Sequence, residues 1–428
     1  MARAILNIQE KLEVDDSIKS YEYTEYQPIT GSQLNTSGQI RITIENTDDF
    51  YHPQGSWLLI QGELVKQDGT PYADADQIAL TNNGPMYLFT NIKYSLGDAE
   101  IESLNHPGFA TTMLGNIKYP DTYRHGPGLM RCWMPDTDVA IDEKNSGFTI
   151  RQAYIIQHPE PKGSFSFSLP LEHWSGFCED YDKVTYGMRH TLTLTRTTDD
   201  NDAIFRLNAV HAGKVNITKI AWMMPKVIPS DEMKYKLYKI IESKDVLNIG
   251  FRMRQCSVIQ IPQVTSFSWR LGIKTAPEKP RWIVVGLQTN KSGNQEQNAA
   301  IFDHCNVSNM SVVLNNIKYP LLDANANFKK YQFSHFYNAM TKFTQEYYGL
   351  DSMIGNTSLT PDAYKHIHPL FVFDVSKQSE RLDTGVVDMT IEMQFSENVA
   401  ANTSAHALVV SDRRLKMLSD GKKMNVVF

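Results

Sequence analysis

The chain has 428 residues, 41% hydrophobic and 11% aromatic, a length that suits two or three domains and a composition that supports packed cores, so wholesale disorder is excluded. Lys and Arg number 42 against 48 Asp and Glu, a formal charge of −6. No chain-wide positive field exists to hold nucleic acid or anionic lipid, and any such contact must be local.

The stretch from Met1 to Lys11 has too short an apolar run for the core of a signal peptide, and nowhere do about 18 apolar residues run together, so neither export nor a membrane span is expected. Residues 1–30 read as an arm. Acidic residues between Glu10 and Asp16 precede Tyr21, Tyr23 and Tyr26, and tyrosines in an extended arm suit subunit contacts because they bury large area with little rotamer loss. Ile40, Ile42 and Ile44 then alternate with polar residues, as in a strand with one buried face. Trp57-Leu-Leu-Ile-Gln-Gly-Glu-Leu and Asn91-Ile-Lys-Tyr follow as strands. Asn105 as cap and Pro107 in the first turn predict a helix whose Phe109, Met113 and Ile117 share a face. Phe165-Ser-Phe-Ser-Leu, Thr191-Leu-Thr-Leu-Thr and Val215-Asn-Ile complete this half. Turn-forming clusters such as Asn82-Asn83-Gly84-Pro85, His125-Gly126-Pro127-Gly128 and Pro159 to Gly163 separate the elements.

Ser230 is placed to cap a helix from Asp231 to Ser243, with Met233, Leu237, Ile240 and Ile241 inward. Beyond it the pattern returns. Phe267, Trp269, Leu271 and Ile273 alternate, as do Phe371, Phe373 and Val375, and then Val387, Met389, Ile391, Met393 and Phe395. Phe333, Phe336, Met340, Phe343 and Tyr347 step by three and four, an amphipathic helix of about four turns. Trp57 and Trp282 lie 282 − 57 = 225 apart, and Asn91 and Asn316, each opening Asn-Ile-Lys-Tyr, lie 316 − 91 = 225 apart; Ile42 and Ile44 fall on Phe267 and Trp269 at the same offset. Two copies of one domain are expected, each helix following an Asn-Ile-Lys-Tyr strand and closing the open end of a sandwich. Short strands, long loops and no βαβ rhythm indicate antiparallel sandwiches. The long loops, chiefly 65–86, 120–150, 286–304 and 345–368, are expected to carry function or an interface.

Signals for catalysis are weak. No Gly-x-x-x-x-Gly-Lys-Ser/Thr, Gly-x-Gly-x-x-Gly, Gly-x-Ser-x-Gly or His-Glu-x-x-His occurs. His366-x-His368 could present two imidazoles on one strand face, as in cupin enzymes, but the partner Glu and the preceding Gly are missing, so a loop pair beside Pro369 is favoured. Asp303-His304-Cys305 offers a thiol next to an imidazole, yet neighbours on a strand point to opposite faces. Asp180-x-Asp182 and Asp199-Asp200-x-Asp202 could bind a hard cation but lack the Gly and bidentate Glu of a calcium loop, and read as solvated turns. Cys132, Cys178, Cys256 and Cys305 stand apart without metal-ligand spacing, which suits a reducing compartment. The seven Asn-x-Ser/Thr triplets read as chance in an Asn-rich chain. No catalytic, cofactor-binding or metal residue is assigned. Arg413, Arg414, Lys416, Lys422 and Lys423 form a basic segment that could make sequence-blind phosphate contacts.

Two sandwich halves, each with a strand beginning at Trp57 or Trp282, an Asn-Ile-Lys-Tyr strand, a following helix and a late alternating strand, together resemble the double jelly-roll major capsid proteins of double-stranded DNA viruses, most of all those of Polinton/Maverick elements and adintoviruses. The resemblance spans about residues 30–410. It implies an all-β fold class, with two tandem eight-stranded antiparallel jelly-roll sandwiches and a few short helices in the loops. The domains read as an N-terminal arm at 1–30, a first jelly roll at 31–224, a linker with a short helix at 225–245, a second jelly roll at 246–410 and a C-terminal tail at 411–428. By the same resemblance the chain is a non-enzymatic capsid subunit without cofactors, forming pseudo-hexameric homotrimers that tile an icosahedral shell. Its partners are then copies of itself, penton and minor capsid proteins and, weakly, the genome; it is made in the cytoplasm, assembled in the host nucleus or cytoplasm, and resides in the virion. A tandem sandwich enzyme of bicupin or glycan-hydrolase type, and a host-retained capsid-derived protein with a new role, are the alternatives.

Overall fold

The structure, a computed structural model, describes residues 16–29, 33–207, 209–272, 279–350, 359–377, 387–421 and 423–427. Besides the short strands Phe50–Tyr51, Ile78–Leu80 and Ile204–Arg206, eight strands build the two main sheets of the first half: β1 (Ile18–Tyr26), β2 (Gly38–Ile44), β3 (Trp57–Lys66), β4 (Phe89–Leu96), β5 (Ala99–Asn105), β6 (Ser164–Pro170), β7 (His190–Arg196) and β8 (Gly213–Pro229). They pair antiparallel as two sheets, in the orders β1-β8-β3-β6 and β2-β7-β4-β5. Eight more build the second half: β9 (Leu247–Ile261), β10 (Ser266–Arg270), β11 (Lys279–Thr289), β12 (Val307–Leu314), β13 (Ile317–Tyr319), β14 (Phe371–Asp374), β15 (Met389–Phe395) and β16 (Thr403–Ser419). Their sheets run β9-β16-β11-β14 and β10-β15-β12-β13. Adding eight to every label of the first pair gives the second, so both halves are jelly rolls of one topology.

Period-two patterning sets the inward faces. Ile40, Ile42 and Ile44 of β2 and Leu192 and Leu194 of β7 are fully buried, as are Leu58, Ile60 and Leu64 of β3. Each such side chain stabilises the sandwich by about 1.5–3 kcal/mol. By contrast, β11 is buried from Trp282 through Gln288 on both faces. A strand covered on both sides loses its alternation; here the second cover is helical.

Tryptophan marks one ladder position in both rolls. Trp57 pairs with Met223 and Pro170, and Trp282 with Val410 and Asp374. The Asn-Ile-Lys-Tyr match is a coincidence: Asn91 lies in β4, the fourth strand of its roll, whereas Ile317 opens β13, the fifth strand of the other. The third copy, Asn116 to Tyr119, ends a helix. Asn315 and Asn316 form the two-residue turn between β12 and β13 with φ 45° and 71°, the left-handed pair that Asn tolerates.

The helices share a place in the topology all the same. α1 (Pro107–Lys118) and α4 (Ser334–Tyr348) each connect the fifth strand of a roll to its sixth. The predicted stripe on α4 is buried throughout. α1 begins after His106 in the left-handed region rather than at an Asn105 cap, and Pro107 to Ile117 are all buried. It closes no sandwich end, because it lies between the rolls. α3 (Asp231–Glu242) is capped as expected by Ser230, which accepts from Met233 N, but only Ile241 is buried and Ile240 is exposed.

Two boundaries move. β1 pairs with β8 along its whole length, so the roll begins at Ile18, inside the stretch expected as an arm. β16 runs unbroken through residues 410 and 411 to Ser419, and Met424–Val427 pairs back onto it, so the expected tail is sheet. The rolls are joined through residues 230–246.

Candidate functional site: the seam between the rolls

A buried polar constellation joins one roll to the other. Two arginines on β9 project from the second roll toward the first, where α2 (Gly176–Asp180) and the loop before it receive them. Arg252 Nε lies 3.1 and 2.9 Å from the two Asp180 oxygens, and the Arg252 amide donates to Asp180 Oδ2 at 2.7 Å. Arg254, 1% exposed, donates to the carbonyls of Glu172 and His173 at 3.1 Å each and pairs with Glu179. Glu179 also accepts from Lys118 at the end of α1, 2.5 Å away, and from the hydroxyls of Tyr348 and Tyr347 of α4 at 2.8 and 3.3 Å. Glu102 of β5 accepts from the Arg254 amide at 2.9 Å and from Ser175 Oγ at 2.7 Å. One carboxylate thus collects donors from α1, α4 and β9.

Packing follows the same line. Phe177 meets Phe251 edge to face at 5.4 Å, Arg413 donates to the Ile101 carbonyl at 2.8 Å, and Thr344 of α4 to the Ile117 carbonyl of α1 at 2.6 Å. At the loop end, Gly293 N donates to Asp202 at 2.7 Å and Tyr87 OH to the Ala299 carbonyl at 3.1 Å. A glycine permits the closest approach. A Cβ on Gly176 would stand 1.7 Å from the Arg252 carbonyl oxygen.

Burial alone would raise the Glu179 carboxyl, but Arg254 and Lys118 outweigh it and hold the group down at about 2. Glu102 moves the other way: burial raises it against the opposing pull of Arg254. The buried imidazoles are kept neutral chiefly by desolvation, His173, His190 and His406 at about 3 and His368 at about 4. An unfolded chain takes protons on these rings below about pH 6.5 while the folded chain refuses them. Stability is therefore complete at pH 7 and falls as pH drops through 6.5, by up to about 1.4 kcal/mol per unit for each ring. Glu179 adds to the loss below about 4.5; Glu102, Asp202 and Glu346, whose carboxyls burial raises, oppose it. Thermal unfolding followed from pH 7.5 to 5 should show a falling melting temperature, and a flat profile would contradict the assignment.

The residues singled out for chemistry do not converge. His366 is exposed at the end of α5 (Pro361–His366), while His368 is buried with Nδ1 3.2 Å from Asn116 Nδ2, so the two rings serve different environments. His304 Nδ1 accepts from Asn306 N, its ring stacks on Phe328 at 4.4 Å, and Cys305 sits beside Thr289 Oγ1 with its thiol raised by burial to about 12. Asp180 and Asp202 are inter-roll anchors rather than solvated turns, and Asp200 accepts from Val215 N at 2.8 Å. Among the described residues no three His, Cys, Asp or Glu side chains gather as a metal site requires, and no helix is long and apolar enough to cross a membrane. Arg413 of the basic segment is committed to the seam, Arg414, Lys416 and Lys423 are exposed, and Lys422 lies outside the described residues. Arg252, Arg254 and Glu179 carried no motif. Arginines inside an otherwise apolar strand, Phe251-Arg-Met-Arg, were the one available signal.

A family model described as a double jelly roll-like domain matches residues 132–415, about two thirds of the chain. The chain belongs to the double jelly roll family. Among solved structures, this double jelly roll chain is similar to a chain of the Sputnik virophage, with TM-score 0.64 and 9% identity, covering 100% of this chain and 92% of that one. The Faustovirus major capsid protein gives 0.60 and 10%, covering 97% and 93%. The mavirus major capsid protein gives 0.56 and 10%, covering 99% and 92%. No curated protein matches the sequence.

Proposed function

We propose that this double jelly roll chain is a major capsid protein of a double-stranded DNA virus or of a Polinton, Maverick or adintovirus-type element. Three copies form a pseudo-hexameric capsomer, capsomers tile an icosahedral shell, and penton and minor capsid proteins complete it. The observation that carries this reading is the strand-for-strand repetition of one roll within one chain, joined by an ion-paired seam. Two rigidly joined, similar blocks give three chains six near-equivalent walls around a closed threefold ring, an outline that tiles a plane. The whole-chain likeness to capsid proteins supports the same reading. Obligate interfaces of this kind bury on the order of 2,000–5,000 Å² and call for shape and apolar edges, not for catalysis.

The start of β1, the end of β16 and the exposed Arg414, Lys416 and Lys423 lie toward one end of the rolls. That end faces the genome in the shell, and the exposed cations make weak phosphate contacts there. Negative-stain imaging of the purified full chain tests the proposal: particles of hexagonal outline with threefold symmetry are expected, and solitary two-lobed particles at high protein concentration would overturn it.

A further inference from the structure

Inside the chain, roll one meets roll two in a defined way. The β5 edge of the first roll lies along β9 of the second, Glu102 accepting from the Arg254 amide and Ile101 from Arg413. A ring of alternating rolls closes only if the same kind of contact recurs between chains. Its topological equivalent joins β13 of the second roll to β1 of the first roll in another copy.

The ladders identify the residues. Arg254 pairs with Val410, which pairs with Trp282, and Glu25 pairs with Met223, which pairs with Trp57. Glu25 and Tyr23 of β1 therefore stand where Arg254 and Arg252 stand on β9. Tyr94 pairs with Glu102 and Val312 with Tyr319, so Tyr319 stands where Glu102 stands, and Pro320-Leu321-Leu322, just past the end of β13, follow where Ser103-Leu104-Asn105 continue β5. Both positions are exposed flanks with changed chemistry. Leu321 and Leu322 are 80% and 77% exposed and Ile317 43%, while Tyr21 and Tyr23 are 42% and 51% exposed. Beside Tyr23 opens a groove of about 350 Å³ lined by Gly55, Trp57, Arg131, Pro170 and Glu172. Adjacent exposed leucines are costly to leave in water, and the Tyr23 and Trp57 rings, in a groove otherwise lined mainly by polar groups, offer apolar surface to receive them.

We infer that Ile317, Leu321 and Leu322 of one copy dock on the Tyr21, Tyr23 and Trp57 face of the next, closing the ring through an apolar counterpart of the ionic internal seam. This rests on the homotrimer reading and adds the surfaces that make it. The contact is heterologous, each chain giving its leucines to one neighbour and its tyrosines to the other.

The test combines a disruptive and a trapping variant of the full chain. L321D/L322D is expected to keep the wild-type melting profile as a monomer while weakening trimerisation roughly a hundredfold, read as the concentration at which mass photometry shows half-dissociation. Leu321→Cys combined with Tyr23→Cys, treated with a short bis-maleimide, is expected to give a covalent trimer on denaturing gels. Val210→Asp, at an 84% exposed site away from both flanks, is expected to leave trimers unchanged. Trimers that survive L321D/L322D with no covalent product overturn this inference and leave the trimer intact. A wild-type chain that stays monomeric overturns the reading beneath it.

Discussion

Replacing Arg254 by alanine is expected to destabilise the chain by about 3–5 kcal/mol, because it takes from buried Glu179 one of its two cations, from buried Glu102 the cation that opposes its burial, and from the Glu172 and His173 carbonyls their donor. In a scan this is a melting temperature lower by roughly 5–10 °C. Arg254 reaches two carbonyls and a carboxylate at once. A planar fork does this and a point charge does not, so Arg254→Lys should recover only part of the loss. The seam is common to both rolls, so their unfolding should separate into two transitions in the variant. An unchanged melting temperature would mean that the rolls hold together without the ionic network.

Gly176→Ala should cost about 1–3 kcal/mol by overpacking, and the sign is the informative part. Within an ordinary helix alanine is favoured over glycine by about 1 kcal/mol, so local propensity alone predicts a gain. The added methyl instead meets the Arg252 carbonyl oxygen, a backbone atom that cannot swing aside. Chemical denaturation compares the two effects directly. A stabilised variant would show that α2 and β9 are not in contact as described.

Much of the architecture was legible because strands with one wet face carry their period openly. Ile40 to Ile44, Thr191 to Thr195 and Met389 to Phe395 are read without ambiguity, and the tandem tryptophans mark equivalent ladder positions. Asn-Ile-Lys-Tyr misled because four residues with one alternation fit any strand, and two asparagines fit a tight turn equally well. The seam was hidden for a different reason. Its carboxylates and cations are scattered from Glu102 to Arg413 and come together only once two separate sheets have folded and docked. α1 illustrates the same limit: its Gly108 and Gly115 look like helix weakeners, and they are what lets Tyr87 and Trp133 lie against the helix. The basic segment was misread as a tail because Arg413, Arg414 and Lys416 conceal the alternation of Leu415 and Met417, both buried.

The proposed capsid function requires the chain to surround a threefold axis with copies of itself. Light scattering coupled to size exclusion measures this most directly, on the full chain across a range of concentrations. It should return three times the chain mass down to low micromolar protein. A mass of one chain at every concentration, from protein whose melting profile shows it folded, would contradict it.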